Sequence, residues 1–202
     1  MGAKLKAYAC VYSALSDGTT LVLVCKKREK GYFFRHENGD GVVYVNGTAL
    51  PGAGGNCLPG GWLRHHESLG FGAAREWLEA TNYGTLPQNA RTQSWGAAYG
   101  AAYFRAEPDR LEEICGYLTA ESLRQAALAA QGIKARKIKK YSEIRANFPE
   151  SPANNDIESI EIWNLEERWP EIQKWHDPAS GLDWYYNVLK HLKEGARPTM
   201  VA

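Results

Sequence analysis

The sequence predicts a mixed α/β fold, and three kinds of segment point to it. Short runs rich in β-branched and aromatic residues fill the first quarter of the chain, separated by glycine-containing turns. Segments with apolar residues at helical spacing follow, and further strand-like runs lie between them. The apolar fraction of 44% is enough for a substantial core, and 202 residues fit a single domain.

Several strands are predicted in the first quarter. Residues 7–15 and 19–25 are β-rich runs on either side of a Ser-Asp-Gly turn, which predicts a hairpin or two adjacent strands. Shorter runs at 31–34 and 41–45 predict two more strands. The glycine- and proline-rich stretch 46–61 is predicted to be a loop that can bring its backbone close to a ligand.

A helix is predicted to begin after Ser68, whose hydroxyl suits an N-cap. Leu69, Ala73, Trp77 and Ala80 then fall on one stripe that would pack against a sheet. This helix is the first strong helical signal in the chain.

The second half is predicted to continue with strands and helices. They are a strand at 95–106, a short helix or strand at 110–117, a helix at 120–131 ended by Gly132, a strand at 157–165, a helix over 166–175 broken at Pro170, and an amphipathic helix at 182–194. The dense basic run 134–140 is either a solvated face or a patch that steers phosphate groups.

Composition excludes several classes of function. A formal net charge of +1 leaves no electrostatic footprint for nucleic acid, and no apolar run approaches the length that spans a membrane. We expect no secretory signal. The four cysteines form no CxxC pair, so we expect them to be reduced and mostly buried in a cytoplasmic protein. The β-rich N-terminus offers a surface through which a homodimer could form.

The motif that carries chemistry joins a double-glycine turn to a glutamate-bearing helix. Its residues are Gly60, Gly61, Glu67, Arg75, Glu76 and Glu79. Glu76 and Glu79 are three residues apart, so their carboxylates project from one face of a helix. Two carboxylates beside a glycine turn offer hard oxygen ligands to a divalent cation, which indicates phosphate chemistry. Arg75 is placed to pair with Glu67 and Glu79 and to orient both carboxylates.

This spacing resembles the Nudix box, in which a glycine is followed after five residues by Glu and, after seven more, by Arg-Glu-apolar-any-Glu-Glu-any-Gly-apolar. The matching residues are Gly61, Glu67, Arg75, Glu76, Trp77, Glu79 and Tyr83, whereas Ala80 replaces a glutamate and Asn82 replaces the glycine. The resemblance implies a Nudix-like α/β/α sandwich with a mixed β-sheet, formed by residues 1–202 as a single domain with the box at 61–83.

The resemblance also implies a function. Family members hydrolyse a pyrophosphate linkage in nucleoside diphosphate derivatives with Mg²⁺ or Mn²⁺, so we expect a small-molecule nucleotide substrate. By the same resemblance, Glu76 and Glu79 are metal-binding carboxylates, and the glycine turn contributes a carbonyl, here from Gly60. A further acidic residue often comes from the second half of the chain, for which Glu158 is the candidate, with Asp156 and Glu161 behind it.

Two features leave the function open. His65 and His66 lie in the box loop, where they either contact phosphate and transfer protons or are simply exposed. Ala80 removes a carboxylate that the resemblance would make a central metal ligand. The sequence therefore supports two hypotheses: a Nudix-type pyrophosphohydrolase, or a catalytically impaired module of the same fold that binds a nucleotide or a partner.

Overall fold

The computed structural model describes residues 5–36, 39–87 and 90–195. The strands in this part of the chain are β1 (Lys6–Ala14), β2 (Thr20–Lys27), β3 (Lys30–Arg35), β4 (Gly41–Ala49), β5 (Asn56–Cys57), β6 (Gly60–Trp62), β7 (Arg91–Trp95), β8 (Tyr99–Arg105) and β9 (Ile157–Asn164). The α-helices are α1 (Leu69–Thr81), α2 (Pro108–Tyr117), α3 (Leu123–Lys134), α4 (Tyr141–Asn147), α5 (Leu165–Ile172) and α6 (Asp183–Gly195). None of these helices is long and apolar enough to cross a membrane.

Strand β1 organises the larger sheet. It runs parallel to β8 on one edge and antiparallel to β2 and β6 on the other. The sheet continues from β8 to β7 and from β2 to β5 and β9, all as antiparallel pairs. One parallel pair among antiparallel ones makes the sheet mixed, so the predicted α/β class is confirmed.

Helices cover both faces of this sheet, and the side chains of β1 alternate between these two layers. Ala7 faces α1, where a Cβ built on Gly72 would lie 3.3 Å from its methyl group. Tyr8 faces the opposite layer and stacks on Trp184 of α6, with ring centroids 3.9 Å apart. The predicted α/β/α sandwich is therefore the observed arrangement.

Helix α1 forms for the reasons that the sequence indicated. The Ser68 hydroxyl accepts the Phe71 backbone amide at 3.4 Å, and this caps the helix N-terminus. Ala73 and Trp77 are buried against the sheet. Asn82 ends the helix in the left-handed conformation, with φ of 57°, which asparagine adopts more readily than most residues.

A separate hairpin, β3 and β4, packs on α3 and α4 through a second apolar cluster around Phe33. The loop before β9 ties this hairpin to α1. The backbone amide of Asn154 donates to the Glu79 carbonyl at 3.0 Å, and its side-chain oxygen accepts the Arg35 amide at 2.9 Å. The backbone amide of Asn155 donates to the Phe33 carbonyl at 3.0 Å. The loop thus holds the hairpin beside the C-terminal half of α1.

Several predicted boundaries are wrong, each for a reason of tertiary pairing. Strand β4 extends to Ala49 because that residue pairs with Lys30, so the predicted loop begins later and itself contains β5 and β6. The predicted strand at 95–106 is divided between β7 and β8, which form a hairpin.

The helix predictions also needed correction in the second half. Helix α3 continues through Gly132 to Lys134, and α4 lies within a stretch for which no helix was predicted. Helix α5 runs through Pro170 without a break, because buried Leu165 and Ile172 hold both of its ends against the core.

Candidate active site

The glycine at position 61 allows a box glutamate to approach the backbone of β6. A Cβ built on Gly61 would lie only 2.5 Å from Oε2 of Glu76. Any other residue there would displace this carboxylate. Glu79 lies one turn further along α1, and the side chains of Glu76 and Glu79 are 15% and 17% exposed. Two largely covered carboxylates therefore lie on one face of α1.

The Arg75 guanidinium holds the box carboxylates together. Its Nε and Nη2 donate to the two oxygens of Glu67, each at 2.8 Å. Its Nη1 donates to Glu76 Oε1 at 2.7 Å and to Glu79 Oε2 at 3.4 Å. Its Nη2 also donates to the Trp62 carbonyl at 3.0 Å. The pairings of Arg75 with Glu67 and Glu79 that the spacing indicated are confirmed. The Arg75 guanidinium group thus connects the loop that holds Glu67 to helix α1.

A second guanidinium, which the sequence analysis missed, completes this network. Arg64 Nη2 donates to Glu79 Oε1 at 2.9 Å, and the Arg64 backbone amide donates to Glu67 Oε2 at 2.9 Å. No local spacing rule marks Arg64, because it meets Glu79 only after the loop folds over α1. With Glu76 included, three carboxylates face two guanidinium groups, so the cluster keeps a negative surplus.

Burial raises the pKa of Glu76. The hydrogen bond and positive charge of Arg75 lower this pKa, while the negative charges of Glu79 and Asp156 raise it. The charge of Arg75 therefore does not fully compensate the burial of the ionised Glu76 carboxylate.

Asp156 supplies a carboxylate from the second half of the chain. It lies just before β9. With Gly60 and Gly61 it lines a cleft of about 310 Å³, which we call the glycine cleft. Its Oδ1 is buried and has no hydrogen-bond partner within the described ranges. Burial raises the pKa of Asp156, and the nearby charges of Lys27 and Arg28 only oppose this shift. A buried carboxylate oxygen without a partner is costly, so Asp156 Oδ1 is a donor that a bound cation would satisfy.

The carbonyl of Gly60 is directed toward the same region. On the side toward β1, the Pro59 carbonyl accepts a hydrogen bond from the Ala9 amide, and the Leu63 amide donates to the Leu5 carbonyl. By strand alternation, the carbonyls of Gly60 and Trp62 point to the opposite edge. That of Trp62 accepts a hydrogen bond from Arg75. The Gly60 carbonyl therefore lies along the edge of β6 that faces the box carboxylates.

The other candidate acid in the second half is engaged elsewhere. Glu158 forms an ion pair with Lys26 at 3.3 Å, and both side chains are about half exposed. Glu161 Oε2 accepts a hydrogen bond from Trp163 Nε1 at 3.1 Å. The structure thus brings Asp156, rather than Glu158 or Glu161, to the cleft beside the glycine turn.

The histidine pair lies on the exposed loop before Glu67. The rings of His65 and His66 are edge to face, with centroids 3.8 Å apart, and His66 has a left-handed backbone with φ of 61°. Their contact with substrate stays a prediction.

Ala80, the main departure from the box pattern, belongs to the core. It is 4% exposed and packs in the same apolar cluster as Trp77 and Ala73. A glutamate at this position would have the base of its side chain among apolar residues. The alanine therefore also allows α1 to pack closely on the sheet.

A second cavity, of about 460 Å³, lies on the hairpin side of the box. We call it the basic cavity; its lining includes Arg35, Arg64, Arg75, Glu79, Tyr141 and Arg145. Arg75 and Glu79 line the basic cavity, whereas Gly60, Gly61 and Asp156 line the glycine cleft.

Comparison with known proteins gives likeness at the level of structure. No family model matches the chain, and no curated protein matches it. A MutT/Nudix family protein from Listeria innocua has a TM-score of 0.44 at 14% identity, over 95% of this chain and 98% of that one. A Nudix hydrolase from M. smegmatis has a TM-score of 0.33 at 19% identity, over 53% and 63%. A MutT protein from Methanosarcina mazei has 0.29 at 22% identity, over 50% and 61%.

These structural neighbours are MutT/Nudix proteins. The family named from the box is therefore also the family of these neighbours. The role of the box residues in this chain is argued from their own geometry.

The box residues of this chain are oxygen donors of the type that a hard divalent cation binds. In the described part of the chain, no three His, Cys, Asp or Glu side chains are close enough to one another to coordinate a metal ion as they stand. The orphaned Asp156 oxygen and the under-compensated Glu76 carboxylate are nevertheless the hard oxygen donors that such a cation takes. Glu79 and the Gly60 carbonyl would complete the set.

Proposed function

We propose that this protein hydrolyses a pyrophosphate linkage in a nucleoside diphosphate derivative, with Mg²⁺ or Mn²⁺, at the Nudix box. One observation carries the proposal: Gly61 lets the Glu76 carboxylate lie against β6, where Arg75 holds it in register with Glu79. Such a set of preoriented carboxylates beside a backbone carbonyl is what a catalytic magnesium site requires.

Each residue then has a defined task. Glu76, Glu79, Asp156 and the Gly60 carbonyl would hold the ion, which when bound neutralises phosphate charge and activates a water molecule. Arg75 keeps the box carboxylates oriented through its bonds to three of them. In this proposal Asp156 takes the role of second-half acid that the sequence analysis gave to Glu158, because only Asp156 lines the glycine cleft.

A second candidate function is a nucleotide-binding module without turnover. Two observations favour it: Ala80 supplies no carboxylate, and both oxygens of Glu79 already accept hydrogen bonds from Arg64 and Arg75. An ion would have to compete with these arginines for Glu79. Such a module would bind a nucleotide with little dependence on metal.

The test is a magnesium-dependent hydrolysis screen over dinucleotides, nucleotide sugars and nucleoside triphosphates. We expect turnover by the wild type and a loss of about 100-fold or more in Glu76→Gln and Glu79→Gln, because each removes a negatively charged ligand. Glu112→Gln is the matched control, since Glu112 is exposed on α2, far along the chain from the box.

The outcomes separate the two functions. Nucleotide binding without hydrolysis across the whole screen would favour the binding module. Hydrolysis that is unchanged in both box variants would remove Glu76 and Glu79 from the active site.

A further inference from the structure

The basic cavity beside Glu79 carries more positive charge than the box network uses. Arg75 is saturated by carboxylates, and Arg64 uses Nη2 for Glu79. Within the described ranges, no carboxylate lies within ion-pair distance of the Arg35 or Arg145 guanidinium group. Two guanidinium groups therefore line the cavity without an ion-pair partner among the described residues, which makes the described lining electropositive on the side away from α1.

The fold holds the backbone of Arg35 and the guanidinium group of Arg145. The backbone amide of Arg35, at the end of β3, donates to the Asn154 side chain at 2.9 Å. Arg145 Nη1 donates to the Ser151 carbonyl at 2.9 Å, which anchors the guanidinium while its other nitrogens stay available. The Tyr141 hydroxyl donates to the Ala153 carbonyl at 3.0 Å, and both residues line the cavity. The anchored Arg145 guanidinium loses less freedom on binding a ligand than a free surface arginine does.

The cavity also has a basic approach. A more open groove shares Gly39, Tyr141 and Arg145 with it and continues past Asp40 to Lys139 and Lys140, both exposed. These lysines are the end of the basic run 134–140, for which the sequence left a phosphate-steering role open. Their position extends the positive surface outward from the cavity.

We propose that the basic cavity binds a phosphate group of the substrate other than the pair at the cleaved linkage, held by Arg35, Arg64 and Arg145. This inference rests on the proposed function and narrows its substrate class to nucleotides that carry a further phosphate, such as a polyphosphate chain. Guanidinium groups suit this ligand because their planar forks bind phosphate oxygens in pairs. A neutral sugar would leave Arg35 and Arg145 without partners.

The direct test measures binding of inorganic tripolyphosphate by calorimetry at low ionic strength, with divalent metal removed by chelation. We expect Arg35→Ala and Arg145→Ala each to weaken binding roughly three- to tenfold, since each removes one charged, partly solvated donor. Arg124→Ala is the control, because Arg124 is an exposed arginine on α3 that pairs locally with Glu121. Melting curves by circular dichroism check the fold. Arg35→Ala is the less disruptive variant, because no residue of the described ranges forms a hydrogen bond with the Arg35 guanidinium.

Equal binding by the wild type and both cavity variants would overturn the proposal, as would an equal loss in Arg124→Ala, which would indicate a general charge effect. A second readout is the ratio of KM for a nucleoside triphosphate to KM for a nucleotide sugar, which should rise in Arg35→Ala and Arg145→Ala. Tripolyphosphate binding at the cavity without any hydrolysis would refute the proposed function and leave the cavity assignment standing. Hydrolysis by the wild type, with tripolyphosphate binding and the KM ratio unchanged in Arg35→Ala and Arg145→Ala, would support the proposed function and refute the cavity assignment.

Discussion

Replacing Gly61 by alanine adds a methyl group directly against a proposed metal ligand. The ideal Cβ at this position lies 2.5 Å from Oε2 of Glu76, while ordinary contact begins at 3.4 Å, so the carboxylate must retreat by 3.4 − 2.5 = 0.9 Å. It cannot move freely, because Arg75 holds its other oxygen at 2.7 Å and Glu67 in turn holds Arg75. The substitution therefore shifts the box carboxylates without removing one.

The expected effect is on chemistry more than on stability. A displacement near 1 Å in a catalytic site costs roughly 100-fold in rate, so we expect about that loss in magnesium-dependent kcat. The added methyl group meets the end of a side chain, and overpacking of this kind costs about 1–3 kcal/mol in the free energy of unfolding. Hydrolysis assays measure kcat, Mn²⁺ titration followed by electron paramagnetic resonance measures metal affinity, and urea denaturation measures the free energy of unfolding.

Gly70→Ala is the matched control within the same helix. A Cβ on Gly70 would lie 3.8 Å from the nearest atom, in Thr92, so alanine fits there. It should leave hydrolysis unchanged and raise the free energy of unfolding by up to about 1 kcal/mol, because alanine favours the helix. If Gly61→Ala turned over substrate and bound Mn²⁺ like the wild type, Glu76 would not be a ligand in the observed position.

Two further substitutions test the acids and the departure from the box. Asp156→Asn should raise the melting temperature at neutral pH and weaken Mn²⁺ binding at least about tenfold, because it removes a buried charge that is also a proposed ligand. Since burial raises the pKa of Asp156 above its ordinary 3.8, the folded state binds more protons above that pH, and the free energy of unfolding falls as pH rises until the folded pKa is passed. The variant should show a smaller fall; equal stability together with undiminished Mn²⁺ affinity would contradict the assignment. Ala80→Glu should lower the free energy of unfolding by about 1–3 kcal/mol in urea denaturation, because position 80 is only 4% exposed. An unchanged stability would mean that a side chain at position 80 reaches solvent.

Much of the fold could be predicted from local signals. The β1–β2 hairpin, the Ser68 cap of α1 and the strand β9 were each indicated by alternation, turn residues or a capping side chain within a few positions. The predictions failed where distant partners decide. β4 extends because it pairs with β3, and α5 continues through Pro170 because the core holds its ends.

The candidate site divides in the same way. The sequence by itself determined the core of the box, because Arg75, Glu76 and Glu79 lie within two turns of one helix and their pairing follows from helical geometry. Tertiary structure alone decided that Asp156 rather than Glu158 lines the glycine cleft, and that Ala80 faces the apolar core. It also decided the basic cavity, which joins β3, α1 and α4. Residues more than one hundred positions apart meet there, and contacts such as the hydrogen bond from the Arg35 amide to the Asn154 side chain are encoded by no local spacing.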